Sequence, residues 1–249
     1  MLLLFGTGAP ASESVIQPRI EQRKPHDPEA YTQGLLIDGD VWLESTGQYG
    51  KSELREVDRE TGRVLRSQSL PKRYFGEGLA LLNGKLYQLT WREGVCLVWN
   101  RERFELIQEL TYEGEGWGLT TDGKVLYMSD GSSVIRVLNP DTFKELRRFE
   151  VRYRGGAVRN LNELEWVEGE LWANVFETNR IVRISPRSGQ VTGLLDFSHL
   201  PIAMDWHAEQ DVFNGIARDP DTGEIWVTGK LWKALYRIQW PPVQNELKP

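Results

Sequence analysis

Five short phrases recur along this chain at a spacing of about 45 residues, and that period limits the fold more than any other feature. They are Thr32-Gln33-Gly34-Leu35, Gly76-Glu77-Gly78-Leu79, Gly116-Trp117-Gly118-Leu119, Leu161-Asn162-Glu163-Leu164 and Phe213-Asn214-Gly215-Ile216. Their third residues are numbers 34, 78, 118, 163 and 215, giving steps of 44, 40, 45 and 52. A second landmark keeps the same beat. Each phrase is followed by a turn and an apolar strand carrying an aromatic: Trp42, Tyr87, Tyr127, Trp172 and Trp226, with steps of 45, 40, 45 and 54.

Third and fourth strands follow in most units, as in Leu54-Arg55-Glu56-Val57-Asp58, the Glu60-Thr61-Gly62 turn and Arg63-Val64-Leu65-Arg66-Ser67. Alternating polarity and Gly- or Asn-bearing turns mark antiparallel strands. No window holds an apolar stripe at helical spacing, apart from a turn or two around residues 202–209. Four short strands in a repeat of this length make a propeller blade. The expected fold is therefore all-β, a five-bladed β-propeller spanning residues 15–240 as one domain. The fifth unit supplies three strands, at 212–217, 225–230 and 234–240. Residues 15–23 form a spare strand-like segment that would complete it and seal the ring, with Pro18 tolerable on that outer edge.

Composition narrows the class further. The net charge is −6, and the basic residues are interspersed with acidic ones, so a nucleic-acid groove is not expected. Cys96 is the one cysteine, which excludes an intrachain disulfide and a cysteine metal cluster; its apolar surroundings read as core. Met1-Leu2-Leu3-Leu4-Phe5 with Ala9-Pro10-Ala11 resembles part of an export signal but lacks a basic start. Residues 1–14 are read as a flexible or residual export segment, pointing to a periplasmic or secreted protein, and 241–249 as a C-terminal tail. No segment is long and apolar enough to cross a bilayer. No membrane partner is expected, and the chain is expected to act as a monomer.

The repeat also places a site. In a blade, the start of the first strand and the end of the second share one face of the disc. The residues just before the landmark are Gln33, Glu77, Trp117, Asn162 and Asn214. Two residues earlier stand Tyr31, Phe75, Glu115, Asn160 and either Val212 or Asp211. Four residues past the second-strand aromatics come Thr46, Trp91, Gly131, Phe176 and Lys230. Repeats alike in their structural positions diverge here, which indicates one asymmetric pocket at one mouth of the channel. Glu77 with Lys230, and the aromatic set Trp91, Trp117 and Phe176, read as functional. Thr46 and Asn214 read as rim residues satisfying turn backbones.

Other motifs carry less. Asp219-Pro220-Asp221-Thr222-Gly223 has calcium-like spacing but the composition of a hairpin turn. Gly114-Glu115-Gly116-Trp117-Gly118 precedes no helix and is no dinucleotide loop. His26, His199 and His207 are scattered, so a histidine zinc site is not expected.

Taken in order, several phrases resemble the plant and bacterial glutaminyl-peptide cyclotransferases, which are five-bladed propellers. They include Tyr31-Thr32-Gln33-Gly34-Leu35, Phe75-Gly76-Glu77-Gly78, Leu89-Thr90-Trp91, Met128-Ser129-Asp130-Gly131-Ser132, Asn162-Glu163-Leu164-Glu165 and Thr228-Gly229-Lys230. The resemblance implies release of ammonia from an N-terminal glutamine to leave pyroglutamate, on peptides or proteins. It maps the family's pocket onto Tyr31, Gln33, Glu77, Trp91, Trp117, Asn162 and Lys230. This chain has Phe176 where the family usually has Trp, which keeps an aromatic wall and removes an N–H donor. In that chemistry Glu77 would take the amine proton and return it to the departing ammonia. Gln33, Asn162, Lys230 and the Trp117 indole would stabilise the oxyanion. Phe75, Trp91 and Phe176 would pack the glutamine methylenes and keep water out.

No cofactor is required, although the resemblance allows a structural ion in the channel. Two alternatives stand beside this one. The first is a non-catalytic binding propeller, and the second a calcium-dependent, lactonase-like hydrolase.

Overall fold

The computed structural model describes residues 15–200 and 212–240. The segment 1–14, the tail 241–249 and the helical turn expected near 202–209 lie outside the described residues. Among the described residues every regular element is a strand. Blade one runs Thr32–Asp38, Val41–Thr46, Glu53–Asp58 and Val64–Ser69 from channel to rim. Blade two runs Gly76–Leu82, Lys85–Thr90, Val95–Asn100 and Glu105–Thr111, and blade three runs Leu119–Thr121, Leu126–Met128, Val134–Leu138 and Glu145–Glu150. Blade four runs Leu161–Val167, Glu170–Val175, Arg180–Ile184 and Val191–Asp196. Blade five takes Phe213–Arg218, Ile225–Gly229 and Ala234–Ile238 from its own repeat. Its outer strand is Ile20–Pro25, paired antiparallel to Ala234–Ile238.

The spare N-terminal segment thus closes the ring, but it divides its pairing. Val15–Ile16 lies parallel to Val191–Asp196 on blade four before the chain crosses to blade five. Pro18 sits in that crossover, outside both ladders, where its missing N–H costs no strand bond. Its carbonyl accepts a hydrogen bond from His199 Nε2 at 3.1 Å.

The second-strand aromatics explain why the repeats stack. Trp42, Tyr87, Tyr127, Trp172 and Trp226 are all buried. Among the described residues the core divides into five apolar clusters, one for each seam between neighbouring blades. Trp42 and Trp226 meet edge to face at 5.4 Å across the seam that closes the circle. Cys96 is fully buried in the seam between blades two and three, and burial pushes its thiol well above the ordinary range. It is a small core hydrophobe. Asp219 shapes a hairpin turn by accepting the N–H groups of Asp221 and Thr222, so its calcium-like phrase is turn chemistry.

A buried polar clasp ties the closing strand to its neighbours. His26 Nδ1–H donates to the Trp232 carbonyl at 2.7 Å, and Nε2–H donates to Glu44 Oε1 at 2.9 Å. Thr32 Oγ1 donates to the same Glu44 oxygen at 2.7 Å. With both ring nitrogens donating, the imidazole is held as the cation. Burial alone would push its pKa down; the attraction and hydrogen bond of Glu44 outweigh that and raise it. Burial likewise pushes Glu44 up, and His26, together with Arg55 and Thr32, more than reverses it.

The two shifts give opposite pH limits. His26 contributes fully below its unfolded value of 6.5 and loses that contribution as pH rises through the raised folded value. Glu44 contributes above its unfolded value of 4.5 and loses it as pH falls through the lowered folded value. His26→Ala, which strands a buried carboxylate, should cost about 3–5 kcal/mol in urea unfolding at pH 6. The wild-type urea midpoint should fall on the alkaline side, and the variant should lack that loss. A variant matching wild type at pH 6 would remove the clasp from the stability account.

Candidate active site

Successive inner strands touch one another in ring order around the channel. At three of the five landmark positions they come too close for a side chain. A Cβ on Gly34 would lie 2.5 Å from Leu79 N, one on Gly78 2.4 Å from Leu119 N, and one on Gly118 2.1 Å from Asn162 O. Glu163, the landmark without a glycine, sends its carboxylate to the Ile216 N–H at 2.9 Å and so joins blade four to blade five. The landmarks together floor the channel.

The residue before each landmark is set off from the regular ladder by local irregularity. The ladder to the second strand breaks between Thr32 and Gly34, Gly76 and Leu79, Leu161 and Leu164, and Phe213 and Ile216. Each break is a bulge holding Gln33, Glu77, Asn162 or Asn214, and bulges turn a side chain out of the regular alternation. In blade three the inner strand begins only at Leu119, so Trp117 precedes it. There Ser129 Oγ accepts the Gly118 N–H at 2.7 Å and donates to the Asn162 carbonyl at 2.7 Å, fixing the backbone beside two site residues.

The result is a cup of about 230 Å³ lined by Tyr31, Gln33, Phe75, Glu77, Trp91, Trp117, Asn162, Phe176 and Lys230. These are the nine residues singled out from the repeat and the resemblance, and the fold brings all of them together. Drug-sized sites run to roughly 300–1,000 Å³, so this cup suits a single side chain. Thr46 stays outside it, its hydroxyl accepting the Glu53 N–H at 3.0 Å.

Glu77 and Lys230 are both buried. Gln33 Nε2 donates to Glu77 Oε1 at 2.8 Å. Asn214 in turn donates to Gln33 Oε1 at 3.2 Å and to the Thr32 carbonyl at 3.0 Å, which fixes the Gln33 amide. Asn214 is therefore a support for the site rather than a turn residue alone. Burial lifts the Glu77 carboxyl well above the usual range; Lys230 partly opposes this, and Glu115 and Glu93 add to it. Burial brings Lys230 down to about 8, with Glu77 opposing.

The Lys230 ammonium lies 4.7 Å from the Tyr31 ring centre and 5.2 Å from that of Phe176. Among the described residues it makes no ion pair, so the rings hold its charge facing the cup. Asn162 lines the cup, and among the described residues its buried Oδ1 has no hydrogen-bond partner. Trp117 departs from its expected part. Its Nε1–H donates to Glu115 Oε2 at 3.0 Å, so it is committed away from an oxyanion.

Among the described residues no group of three or more His, Cys, Asp or Glu side chains converges. Glu163 and Glu165 already accept backbone N–H groups of blade five.

Residues 3–240 match the family model described as glutamine cyclotransferase. The chain belongs to the glutamine cyclotransferase family. It is 41% identical over 238 residues to a glutaminyl-peptide cyclotransferase of Arabidopsis thaliana, covering 94% of this chain and 74% of that protein. The crystal structure of Myxococcus xanthus glutaminyl cyclase superimposes with a TM-score of 0.85 at 33% identity, covering 91% of this chain and 98% of that one.

Within this cyclotransferase, the supports were less visible in sequence than the lining. Glu115 appeared only as the aligned position two residues before Trp117, and Ser129 only within a family phrase. Asn214→Ala should lower kcat about tenfold by freeing the Gln33 amide, whereas Thr46→Val should leave kcat within about twofold. Steady-state kinetics on a glutaminyl peptide check both, and an unaffected Asn214→Ala would break the proposed support.

Proposed function

We propose that the cup turns an N-terminal glutamine into pyroglutamate with release of ammonia, and that Glu77 moves the proton. The observation that carries this reading is a buried carboxyl of raised proton affinity sharing a cup the size of one side chain with a buried ammonium that makes no ion pair among the described residues. A free α-amine has a pKa of roughly 7.7–8.0, so a fraction is neutral near neutral pH; that fraction attacks and becomes a proton donor as the ring C–N bond forms. Burial raises the Glu77 carboxyl well above the ordinary carboxylate range, so it can both take that proton and give it back. An ordinary carboxylate would accept it only weakly.

The α-nitrogen attacks its own side-chain carbonyl carbon, forming the ring C–N bond and placing charge on the carbonyl oxygen. Glu77 takes the proton from the attacking nitrogen and delivers it to the side-chain nitrogen. The old C–N bond then breaks, ammonia leaves and the carbonyl reforms. Lys230 meets the oxyanion, and a donor so placed is worth about 3–4 kcal/mol. Asn162 accepts from a substrate N–H, and Gln33 holds Glu77 in its working rotamer. Phe75, Trp91 and Phe176 pack the methylenes, with Trp117 as a further wall. The scheme draws on side chains alone. The calcium-dependent hydrolase loses support because no carboxylate cluster converges on the channel among the described residues.

Ammonia release from a glutaminyl peptide, with and without chelator, tests the reading; the expected result is equal release in both. Glu77→Gln should cut kcat at least about a hundredfold while leaving the urea midpoint near wild type. Near-normal turnover in that variant would remove Glu77 from the mechanism. Lys230→Met should lower kcat by about 10²–10³. A change confined to KM would reduce Lys230 to a binding group.

A further inference from the structure

Glu115 neither takes nor gives a proton in the transfers above, reaching Glu77 only through its charge, yet it holds two walls of the cup. Its Oε2 accepts the indole N–H of Trp91 at 2.8 Å and that of Trp117 at 3.0 Å. The two rings come from different blades. Trp91 stands one residue past the second strand of blade two, and Trp117 leads into blade three. Arg92 donates from Nε to Glu115 Oε1 at 3.1 Å, and its guanidinium lies 3.7 Å over the Trp91 ring centre.

An indole has one donor, so both are used on this single oxygen. Neither N–H is then left to bind a substrate, and both rings serve the cup as apolar walls. Neighbouring glycines make room for the arrangement. A Cβ on Gly131 would lie 2.6 Å from the Trp117 ring, and the Gly116 N–H donates to the Trp91 carbonyl at 2.9 Å. The Arg92 pair by itself is exposed and of little worth. Hydrogen bonds to a carboxylate are stronger than neutral ones. Burial pushes Glu115 up, but the hydrogen bonds from Trp117, Trp91 and Arg92 outweigh it, so it stays an acceptor.

We propose that Glu115 is a positioning residue that sets the spacing of Trp91 and Trp117, and through it the affinity of the cup for the glutaminyl side chain. The inference rests on the cyclotransferase reading. Walls that grip methylenes act on ground state and transition state alike, so loosening them raises KM and leaves kcat nearly unchanged.

The test compares Glu115→Ala, Glu115→Gln and Arg92→Ala in the full chain, with KM and kcat measured separately on one glutaminyl peptide. Glu115→Ala should raise KM about tenfold with kcat within about threefold of wild type. Glu115→Gln keeps a carbonyl acceptor for both indoles and should recover most of that loss. Arg92→Ala should leave KM within about twofold. An unchanged KM in Glu115→Ala, no recovery in Glu115→Gln, or a tenfold rise in Arg92→Ala each overturns the inference while wild-type turnover keeps the reading. A wild-type chain that releases no ammonia overturns both. Should Glu115→Ala fail to fold, the KM of Glu115→Gln against wild type decides: more than fivefold higher overturns the proposal.

Discussion

The close approach of five inner strands governs this protein. At Gly34, Gly78 and Gly118 a single Cβ would collide with the backbone of the next blade. Closing five blades around one axis leaves no room there, and only glycine, or a side chain aimed elsewhere as in Glu163, satisfies the constraint. The same crowding floors the cup. The bulges beside the landmarks then turn the preceding residues out of the regular alternation, so one geometric demand closes the ring and builds the site.

The buried charges follow from that construction. A carboxyl and an ammonium placed in a dry cup would ordinarily collapse into an ion pair or lose stability. Here each is held apart by its own supports: the Asn214–Gln33 relay on Glu77, and the Tyr31 and Phe176 rings beside Lys230. Both therefore face the space a substrate would fill. Groups fixed in this way need no reorganisation when charge develops on the substrate, which is the main electrostatic advantage of an enzyme over water.

How much of this was legible in the sequence depends on the range of each interaction. The repeat carried the fold, because each blade reads as a local run of strands and turns. The divergence among repeats carried the nine lining residues, because position within a blade decides which face a residue occupies. What escaped were pairings between blades. Nothing local to Trp117 says that its N–H meets Glu115 rather than a substrate, or that Ser129 binds the Asn162 carbonyl across a seam. The divided pairing of the N-terminal segment, with Val15–Ile16 on blade four and Ile20–Pro25 on blade five, likewise depends on partners far away in the chain. Asn214 read as a rim residue because its target, Gln33, lies 181 positions away.

The account stands on an attack by the substrate's own amine in a cup that keeps water from the carbonyl. Turnover of a glutaminyl peptide in water enriched in oxygen-18, followed by mass spectrometry, tests that claim most directly. The account predicts one ammonia per pyroglutamyl product, with no heavy oxygen incorporated. A glutamyl product carrying heavy oxygen would show that water attacks in place of the amine, and would contradict it.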